Sequence, residues 1–493
     1  MNWETLPDEI KILIIENTDP YDISKLRQTC QRNKKLIDSS IRLNYILELA
    51  RDGYSLIHDC DSVPDIARAM KQHIEWRERW KQLDLGSAAL SIKASETREI
   101  RLQGDMIYST AQNTLRSFSL SKLAQPDIMT DSSKAWESHD FDVESEETIT
   151  ILGGDVQQRL LVVGINDVNE NCVKLHFLSI PDMVPLAESR SAHRDFDCCY
   201  SIQACGSVVL YSDEYDDDGK YKIYIRDWRS WSLKYQFDPG DGFAVPTLLN
   251  DEYFAILQVL PDERIILELH QFGTDLVVTL LLPEIEQSCN VESAGWDDPN
   301  NFSASSDRVL KKADSNFVVA ALELQSPHYL LTVYLLVMDK QGLITLYDNH
   351  SHQGCHDPVT WNRWGYVARW LPITTNSSSS WTRCGSTIAI QASFDFLDAI
   401  VPQGIGRKNG FYLIQLDFGM RKPQTKDDQY LIKVPQKLYN SAFIDDVSDG
   451  LGFRVTWSPS ATSQVAHDDL FMTENAFIIW NKHELNVHWM GDP

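Results

Sequence analysis

The chain has 493 residues, a formal net charge of −26 at pH 7 and 43% hydrophobic residues. This composition predicts a globular protein, and the length predicts about two to four domains, because a single hydrophobic core rarely serves so long a chain. The acidic surplus repels phosphate groups, so neither nucleic acid nor an anionic membrane is an expected partner.

The sequence predicts neither a signal peptide nor a transmembrane helix. The first residues lack a basic start followed by an apolar core, and no run of about eighteen apolar residues occurs. The nine cysteines are scattered and odd in number, which is typical of reduced thiols. We therefore expect a cytoplasmic protein, a nuclear protein, or one found in both compartments.

Three short helices are predicted in the N-terminal fifty residues. Thr5 is expected to cap the first helix, with Pro7 in its first turn, where the missing amide hydrogen costs nothing. Ile10, Leu13 and Ile14 recur at three- and four-residue spacing, which predicts an apolar stripe on this helix. Helices this short cannot bury all of their apolar surface, so we expect a partner to cover part of the stripe.

The opening Leu6-Pro7-x-Glu9-Ile10, with its correctly spaced followers, resembles the F-box. The F-box is the helical module that docks on the Skp-type linker protein of cullin ubiquitin ligases. The resemblance implies a docking face formed or supported by eight residues, Leu6, Pro7, Glu9, Ile10, Ile14, Ile23, Leu26 and Cys30. The family often has a tryptophan shortly after the cysteine, where this chain has Gln31-Arg32-Asn33. The alternative is an ordinary three-helix cap packed on its own domain.

A longer helix is predicted over residues 65–83. Trp76 and Trp80 lie on its apolar side, and charged residues cover the rest. The segment from Glu75 to Leu83 resembles the helix that comes after the F-box in a large group of fungal F-box proteins. We expect this helix to hold the docking module at a fixed separation from the rest of the chain, and we interpret its tryptophans as core packing rather than a binding cage.

After Ser91 the hydrophobic period becomes that of strands, and no further long helix is predicted. Predicted strands include Glu99–Tyr108 and Leu343–Tyr347, and strand pairs recur at intervals of roughly 45 to 70 residues, which suits four-stranded propeller blades. Two polar stretches, Gln125–Glu147 and Ile285–Ala313, are predicted to be insertions or partly disordered loops.

The predicted fold class is α+β and multidomain, with an all-α N-terminal part followed by a large all-β domain. The all-β domain is interpreted as a degenerate β-propeller of about seven blades, without the Trp-Asp blade signature; a pair of β-sandwiches is the alternative. The predicted boundaries are 1–50 for the F-box-like module, 51–86 for the linker helices and 87–493 for the propeller-like domain.

A second resemblance lies within the β-rich part. Residues 361–365 read Trp-Asn-Arg-Trp-Gly, and Arg369-Trp370 comes shortly after, which is similar to a Trp-x-x-Trp-Gly … Arg pattern common in the same fungal F-box proteins. Trp361, Trp364 and Trp370 are a candidate substrate face. The alternative interpretation is that they are aromatic residues buried in a blade.

No motif for catalysis, metal binding or a cofactor is complete in this sequence. The acidic run of residues 213–219 lacks the final glutamate of a calcium loop, and His483, Glu484 and His488 have the wrong spacing for a zinc protease. Cys198, Cys199 and Cys205 have no zinc spacing. We therefore predict no catalytic residues, no metal and no cofactor.

The resemblance implies a substrate receptor that recruits target proteins to a Skp–cullin–F-box ubiquitin ligase. Its partners would be a Skp-type linker protein, a cullin reached through that linker, and an unknown protein substrate. The alternative is a non-catalytic propeller scaffold that acts outside the ubiquitin system. A propeller enzyme with its active site in the central channel is a third hypothesis, and sequence alone cannot separate the first two.

Overall fold

The computed structural model describes residues 3–51, 54–56, 66–82, 90–93, 99–103, 106–111, 114–120, 122, 136–141, 148–167, 172–180, 182–186, 190–192, 202–213, 222–239, 243–262, 264–285, 289–296, 310–312, 317–325, 331–352, 357–374, 381–384, 387–393, 411–418, 431–432, 453–457, 469–472, 476–481 and 484–489. Within these residues, short helices come first and a large all-β region comes after them. The predicted fold class is thereby confirmed.

The N-terminal part is helical. In chain order its elements are α1 Asp8–Glu16, α2 Pro20–Thr29, α3 Gln31–Ser39, α4 Ile41–Arg51, β1 Tyr54–Leu56, α5 Ile66–Gln82 and β2 Leu90–Lys93. A short 3-10 helix, Trp3–Thr5, precedes α1, and Pro7 is the N-cap of α1. The prediction that Thr5 caps the first helix is therefore wrong, because Thr5 already belongs to the preceding 3-10 turn.

Four antiparallel sheets each consist of four consecutive strands. They are β3 Glu99–Gln103, β4 Met106–Ala111, β5 Thr114–Ser119 and β6 Glu137–Asp140; β7 Thr148–Asp155, β8 Leu160–Asp167, β9 Cys172–Ser179 and β10 Arg190–Ala192; β11 Gln203–Cys205, β12 Val208–Asp213, β13 Lys222–Asp227 and β14 Leu233–Phe237; and β15 Phe243–Leu248, β16 Tyr253–Val259, β17 Ile265–Gln271 and β18 Val277–Leu281. The predicted single strand Glu99–Tyr108 is two strands, with Gln103 opposite Met106.

The remaining sheets are less regular. One contains β19 Asn290–Trp296, β21 Phe317–Gln325, β22 Leu331–Asp339 and β23 Ala368–Thr374, and β20 Leu310–Lys312 leaves it to pair with β1. The next has five strands, β24 Trp381–Cys384, β25 Thr387–Ser393, β26 Phe411–Asp417, β27 Leu431–Ile432 and β28 Phe453–Trp457. The last contains β29 Asp469–Met472, β30 Ala476–Asn481 and β31 Glu484–Trp489 together with β2. Both stretches predicted to be loops therefore contain strands, β6 in the first and β19 and β20 in the second.

The sheets are arranged as a propeller. Strands at one edge of neighbouring sheets contact each other: β7 contacts β3 and β11, β15 contacts β11 and β19, and β24 contacts β29. About seven blades are predicted from the sequence. The described residues contain six four-stranded sheets that serve as blades, and the β24–β28 sheet, with its five strands, departs from that pattern.

The two ends of the β-region meet in one sheet. Strand β2, which comes after α5, pairs antiparallel with β31, and Leu90 lies opposite Val487. The last sheet is therefore completed by a strand from the N-terminal side of the chain. Nothing in the local sequence predicts this pairing, because strand partners distant in sequence leave no periodic signal.

Side chains also tie neighbouring blades together near the axis. Asp155 at the end of β7 accepts a hydrogen bond from the Gly206 amide (2.8 Å), and Gln203 in β11 accepts one from the Leu248 amide (3.0 Å). Glu99 in β3 accepts one from the Ile151 amide at 3.1 Å. The donors are backbone amides in or next to the first strand of a sheet. That strand has a neighbouring strand on one side only, so the side chain of the adjacent blade provides the missing acceptor.

Two helices interrupt the sheet of β19 and β21–β23. They are α6 Lys340–His352 and α7 Trp361–Trp364. The predicted strand Leu343–Tyr347 and the predicted lack of a long helix after Ser91 are therefore wrong. Leu343 and Tyr347 are four residues apart and both buried, so they form one helical face, and short apolar runs fit either period.

Tyr253 fastens α6 to β16. Its hydroxyl donates to Asp348 Oδ1 (3.0 Å) and accepts a hydrogen bond from Gln271 Nε2 (3.2 Å). Burial, followed by the hydrogen bond and charge of Asp348, raises the pKa of Tyr253 to about 12. The folded pKa therefore exceeds the unfolded value of about 10, so this group's contribution to stability is complete below pH 10 and is lost between about pH 10 and 12.

We expect Tyr253→Phe to lower the free energy of unfolding by about 1–2 kcal/mol at pH 7, because the half-buried Asp348 carboxylate loses a donor. The variant should also lose less stability than the wild type between about pH 10 and 12. Urea unfolding of the variant and the wild type at pH 7 and within the range of about pH 10–12 measures both effects. Tyr366→Phe is the control, since that side chain is 60% exposed. Equal stability of the Tyr253 variant and the wild type would contradict the assignment.

Candidate functional site

The N-terminal helices pack around a small core of their own. Ile15 of α1, Ile23 of α2, Leu36 and Ile37 of α3, and Leu43 of α4 are buried together. Each helix contributes an apolar side chain, so none of the helices is stable alone and all of them stabilise one another.

The opposite side of α1 carries apolar side chains that remain exposed. Ile10, Leu13 and Ile14 are 42%, 55% and 45% exposed; we call these three residues the α1 stripe. Their spacing places them side by side on one helix face, and Pro7, at the start of the same helix, is exposed as well. Because about half of each side chain is already covered, covering the rest would contribute about 1 kcal/mol per residue, so the stripe is suited to a partner.

The structure places the eight predicted docking residues in different environments. Pro7, Glu9, Ile10, Ile14 and Cys30 are exposed, Leu6 and Leu26 are half-buried, and Ile23 is fully buried. The buried side chain can support the docking face but cannot touch a partner.

Two exposed apolar residues are absent from the predicted docking set. Leu13 belongs to the α1 stripe, and its spacing from Ile10 was the available signal. Ile41, the first residue of α4, is 55% exposed, and no sequence pattern marks it.

The third helix forms without the tryptophan that the family often has there. Cys30 is the N-cap of α3, and its Sγ accepts a hydrogen bond from the Asn33 amide at 3.4 Å. The Asn33 side chain in turn donates to Thr29 Oγ1 at 2.9 Å. Asn33 therefore helps to join α2 to α3, and Leu36 and Ile37 pack α3 into the core of the N-terminal helices.

Ion pairs hold the same helices at their surface. Arg27 of α2 lies 2.7 Å from Asp38 of α3, and Arg42 of α4 lies 3.5 Å from Glu16 of α1. Lys11, a buried side chain of α1, pairs with the exposed Asp8 at 3.1 Å. Exposed pairs of this kind contribute about 0–1 kcal/mol each, so the apolar core remains the main source of stability.

Helix α5 packs between the N-terminal helices and the propeller. Trp76 and Trp80 of α5 are buried in one cluster with α4 and blade residues, among them Phe477 of β30. The ring centroids of Trp80 and Phe477 are 4.9 Å apart. Arg77 also donates to Glu48 of α4 at 2.5 Å. The interpretation of the tryptophan pair as core packing is confirmed.

The candidate substrate face at Trp361, Trp364 and Trp370 is wrong. These side chains are 9%, 0% and 1% exposed and belong to one buried cluster between blades. Trp364 Nε1 donates to the Leu281 carbonyl at 2.8 Å, and the ring of Trp361 packs edge-on against it at 4.6 Å. A Cβ on Gly365 would lie 2.6 Å from the Trp361 ring, so the glycine of the motif allows this packing. A substrate cannot reach side chains held in this way.

Metal and membrane signals are also lacking in the part of the chain that the structure describes. It contains no group of three or more His, Cys, Asp or Glu side chains able to hold a metal ion. None of its helices has the length and apolar character needed to cross a bilayer. Most of the acidic run after Asp213, together with Cys198, Cys199 and His483, lies outside the described residues.

Comparison with known proteins adds one family. Residues 3–45 match the family model of the F-box domain, which spans α1 to α3 and the first part of α4. No curated protein matches this chain.

Several solved structures are similar to the chain. They include an uncharacterized protein from Listeria monocytogenes EGD-e, with 9% identity and a TM-score of 0.38 over 79% of this chain and 90% of that one. Another is TolB from Acinetobacter baumannii, with 10% identity and a TM-score of 0.32 over 73% and 82%. Kuenenia stuttgartiensis hydrazine synthase has 8% identity and a TM-score of 0.31 over 61% and 94%. At such low scores no function is inferred from these likenesses.

Proposed function

Because residues 3–45 form an F-box domain, we propose that this chain is a substrate receptor of a Skp–cullin–F-box ubiquitin ligase. F-box domains generally bind Skp-type proteins, and the exposed α1 stripe is the observation that carries the proposal. In this view the stripe and Pro7 dock on the linker protein, and the propeller binds a target protein. A receptor of this kind would act in the cytoplasm, the nucleus or both.

The proposed receptor acts without chemistry of its own. It raises the effective concentration of a bound target near the conjugating enzyme, which requires that target and docking module keep a defined separation. The packing of α5 against Phe477 supports this role, since a helix buried on the propeller moves with it. A non-catalytic scaffold outside the ubiquitin system would use the same stripe, and recovery of a cullin separates the two functions.

We expect Ile10→Asp/Ile14→Asp to weaken binding of a purified Skp-type linker protein by about 100-fold. Two carboxylates would have to be buried in an apolar interface, at a cost larger than the burial they replace. Calorimetric titration of the full chain measures the affinity. Affinity purification from cells then shows whether linker and cullin are recovered together.

Val184→Asp/Leu186→Asp is the matched control, because both side chains are exposed, at 56% and 44%, but lie in the propeller. It should bind the linker protein as the wild type does. A milder variant, Leu6→Ala/Pro7→Ala, should also reduce co-purification. If folded Ile10→Asp/Ile14→Asp binds the linker protein with full affinity, the proposal is wrong. Recovery of the linker protein without a cullin would favour the scaffold that acts outside the ubiquitin system.

A further inference from the structure

One segment of the propeller has the opposite charge to the rest of the chain. Residues 220–234 contain five basic residues and one acidic residue, in a chain whose net charge is −26. They span β13, the turn after it and the start of β14. Lys222 lies opposite Asp213 at one end of β13, whereas Arg226 lies opposite Val209 near the turn at the other end. Arg226 near the turn is therefore separated from Asp213 by the length of the strand.

Arg226 is held in a fixed orientation at the turn end of β13. Its Nε donates to the Tyr211 hydroxyl at 2.9 Å, and its Nη1 donates to the Trp231 carbonyl at 3.0 Å. The guanidinium lies 5.4 Å from the ring centre of Trp231 and 5.8 Å from that of Tyr224. Aromatic faces and two hydrogen bonds thus orient a half-buried cation, which leaves Nη2 for a further acceptor.

The turn itself supports this arrangement. Trp231 has a φ of 58°, a conformation that a bulky residue rarely adopts. Its ring is stacked parallel to that of Tyr211, with centroids 6.0 Å apart and an interplanar angle of 4°. Asp227, the single carboxylate of the segment, accepts hydrogen bonds from Ser230 and from the Arg229 amide. All of these bonds end on Oδ1, and the same carboxylate also interacts with the charge of Lys234, so one carboxylate stands against several cations in this segment.

Two further cations lie in the same segment, in the turn after β13 and on β14. Arg229 is exposed, lies 4.5 Å from the Trp228 ring and donates to Gln158 at 3.1 Å. Lys234 is exposed on β14. We call Tyr224, Arg226, Arg229, Trp231 and Lys234 the β13–β14 patch.

The patch adjoins an open sheet edge. Strand β14 is the outermost strand of its blade, and Leu233 on it is 47% exposed. The outermost strand β18 of the next blade is covered, since Val359 pairs with Leu280 there. No described residue covers β14 in this way. An edge strand with one strand neighbour among the described residues is the kind of edge that an added strand extends.

We infer that the β13–β14 patch docks an acidic, carboxylate-rich segment of a partner protein in extended conformation. Carboxylates of that segment would pair with Arg226, Arg229 and Lys234, and its backbone would add to β14. Lys234 alone could be explained as an edge-strand lysine that prevents aggregation. Arg226 lies on β13, which is not an edge strand, so prevention of aggregation does not explain its fixed orientation. The inference concerns the propeller and stands apart from what the α1 stripe binds.

The test uses the full chain and a fluorescein-labelled peptide of about ten alternating Glu and Asp residues. We expect binding by fluorescence anisotropy at low salt that weakens as salt is added. Arg229→Glu/Lys234→Glu should lower the affinity at least about tenfold. Lys25→Glu/Lys71→Glu makes the same charge change on the N-terminal helices, where both side chains are exposed, and should change the affinity less than about twofold.

Arg226→Lys keeps the charge but removes the oriented guanidinium, and it should weaken binding more than the control does. Thermal unfolding of each variant identifies any that fails to fold, and the Arg229/Lys234 pair then provides the test. The inference is overturned if the peptide does not bind, or if it binds both double variants equally. Tighter binding of a single-stranded oligothymidine than of the peptide would also overturn it.

Discussion

Replacing Trp364 by alanine is expected to lower the free energy of unfolding by about 3–5 kcal/mol, one of the largest effects of any single substitution in this chain. The side chain is fully buried, donates a hydrogen bond to the Leu281 carbonyl and packs edge-on against Trp361. Its removal leaves a cavity between two blades and takes the donor from a carbonyl of β18. Urea unfolding followed by circular dichroism measures the change.

Two variants define the origin of that loss. Trp364→Phe keeps part of the packing and removes the hydrogen bond, so about 1–2 kcal/mol of the effect should remain. Arg363→Ala changes an exposed neighbour on the same short helix and should fall within about 0.5 kcal/mol of the wild type. If Trp364→Ala costs less than about 1 kcal/mol, the tryptophan motif has a role other than packing.

Trp80→Ala should weaken the packing that holds α5 and the N-terminal helices on the propeller. The side chain is 7% exposed and contacts Phe477 and Trp76, with ring centroids 4.9 Å and 6.1 Å away. Losing this packing costs about 3–5 kcal/mol and acts at the junction. We therefore expect α5 to leave the propeller surface before the blades unfold, which appears as a separate low-temperature transition in calorimetry.

Limited proteolysis gives a second measure of the same change. Cleavage within α5 should become much faster in Trp80→Ala, because local opening exposes this helix to the protease. Arg79→Ala is the matched control, since Arg79 is the exposed neighbour on the same helix. A single cooperative transition at the wild-type temperature would contradict a junction that depends on Trp80.

The N-terminal helices were predictable because their information is local. The spacing of Ile10, Leu13 and Ile14 places them on one face of a helix whatever surrounds it. The face of α1 that packs against the other helices was not predictable in the same way, because Lys11 and Ile15 form it. A buried lysine carries no apolar signal, so only the packed helices reveal that the stripe is the outward side.

The propeller class was predictable from strand recurrence, whereas its details were not. Leu343 and Tyr347 fit either a strand or a helix, and burial against neighbouring elements decided for α6. The outermost strand β6 is short and polar, reading Glu-Ser-His-Asp, so it has no apolar alternation that would predict a strand. The orientation of the Arg226 side chain depends on Tyr211 and Trp231. These two residues come from different elements, and no sequence spacing predicts that they meet.

The sequence by itself determined that short helices precede a large β-rich region, that the segment from Leu6 to Cys30 carries an F-box motif and that the chain is acidic. These properties depend on neighbouring residues and on composition. Only the tertiary structure decided which side of α1 is exposed, that Trp361, Trp364 and Trp370 are buried, and that β2 completes the sheet of β31. Those outcomes depend on contacts between residues far apart in the chain, whose free energy is gained only when the whole fold assembles.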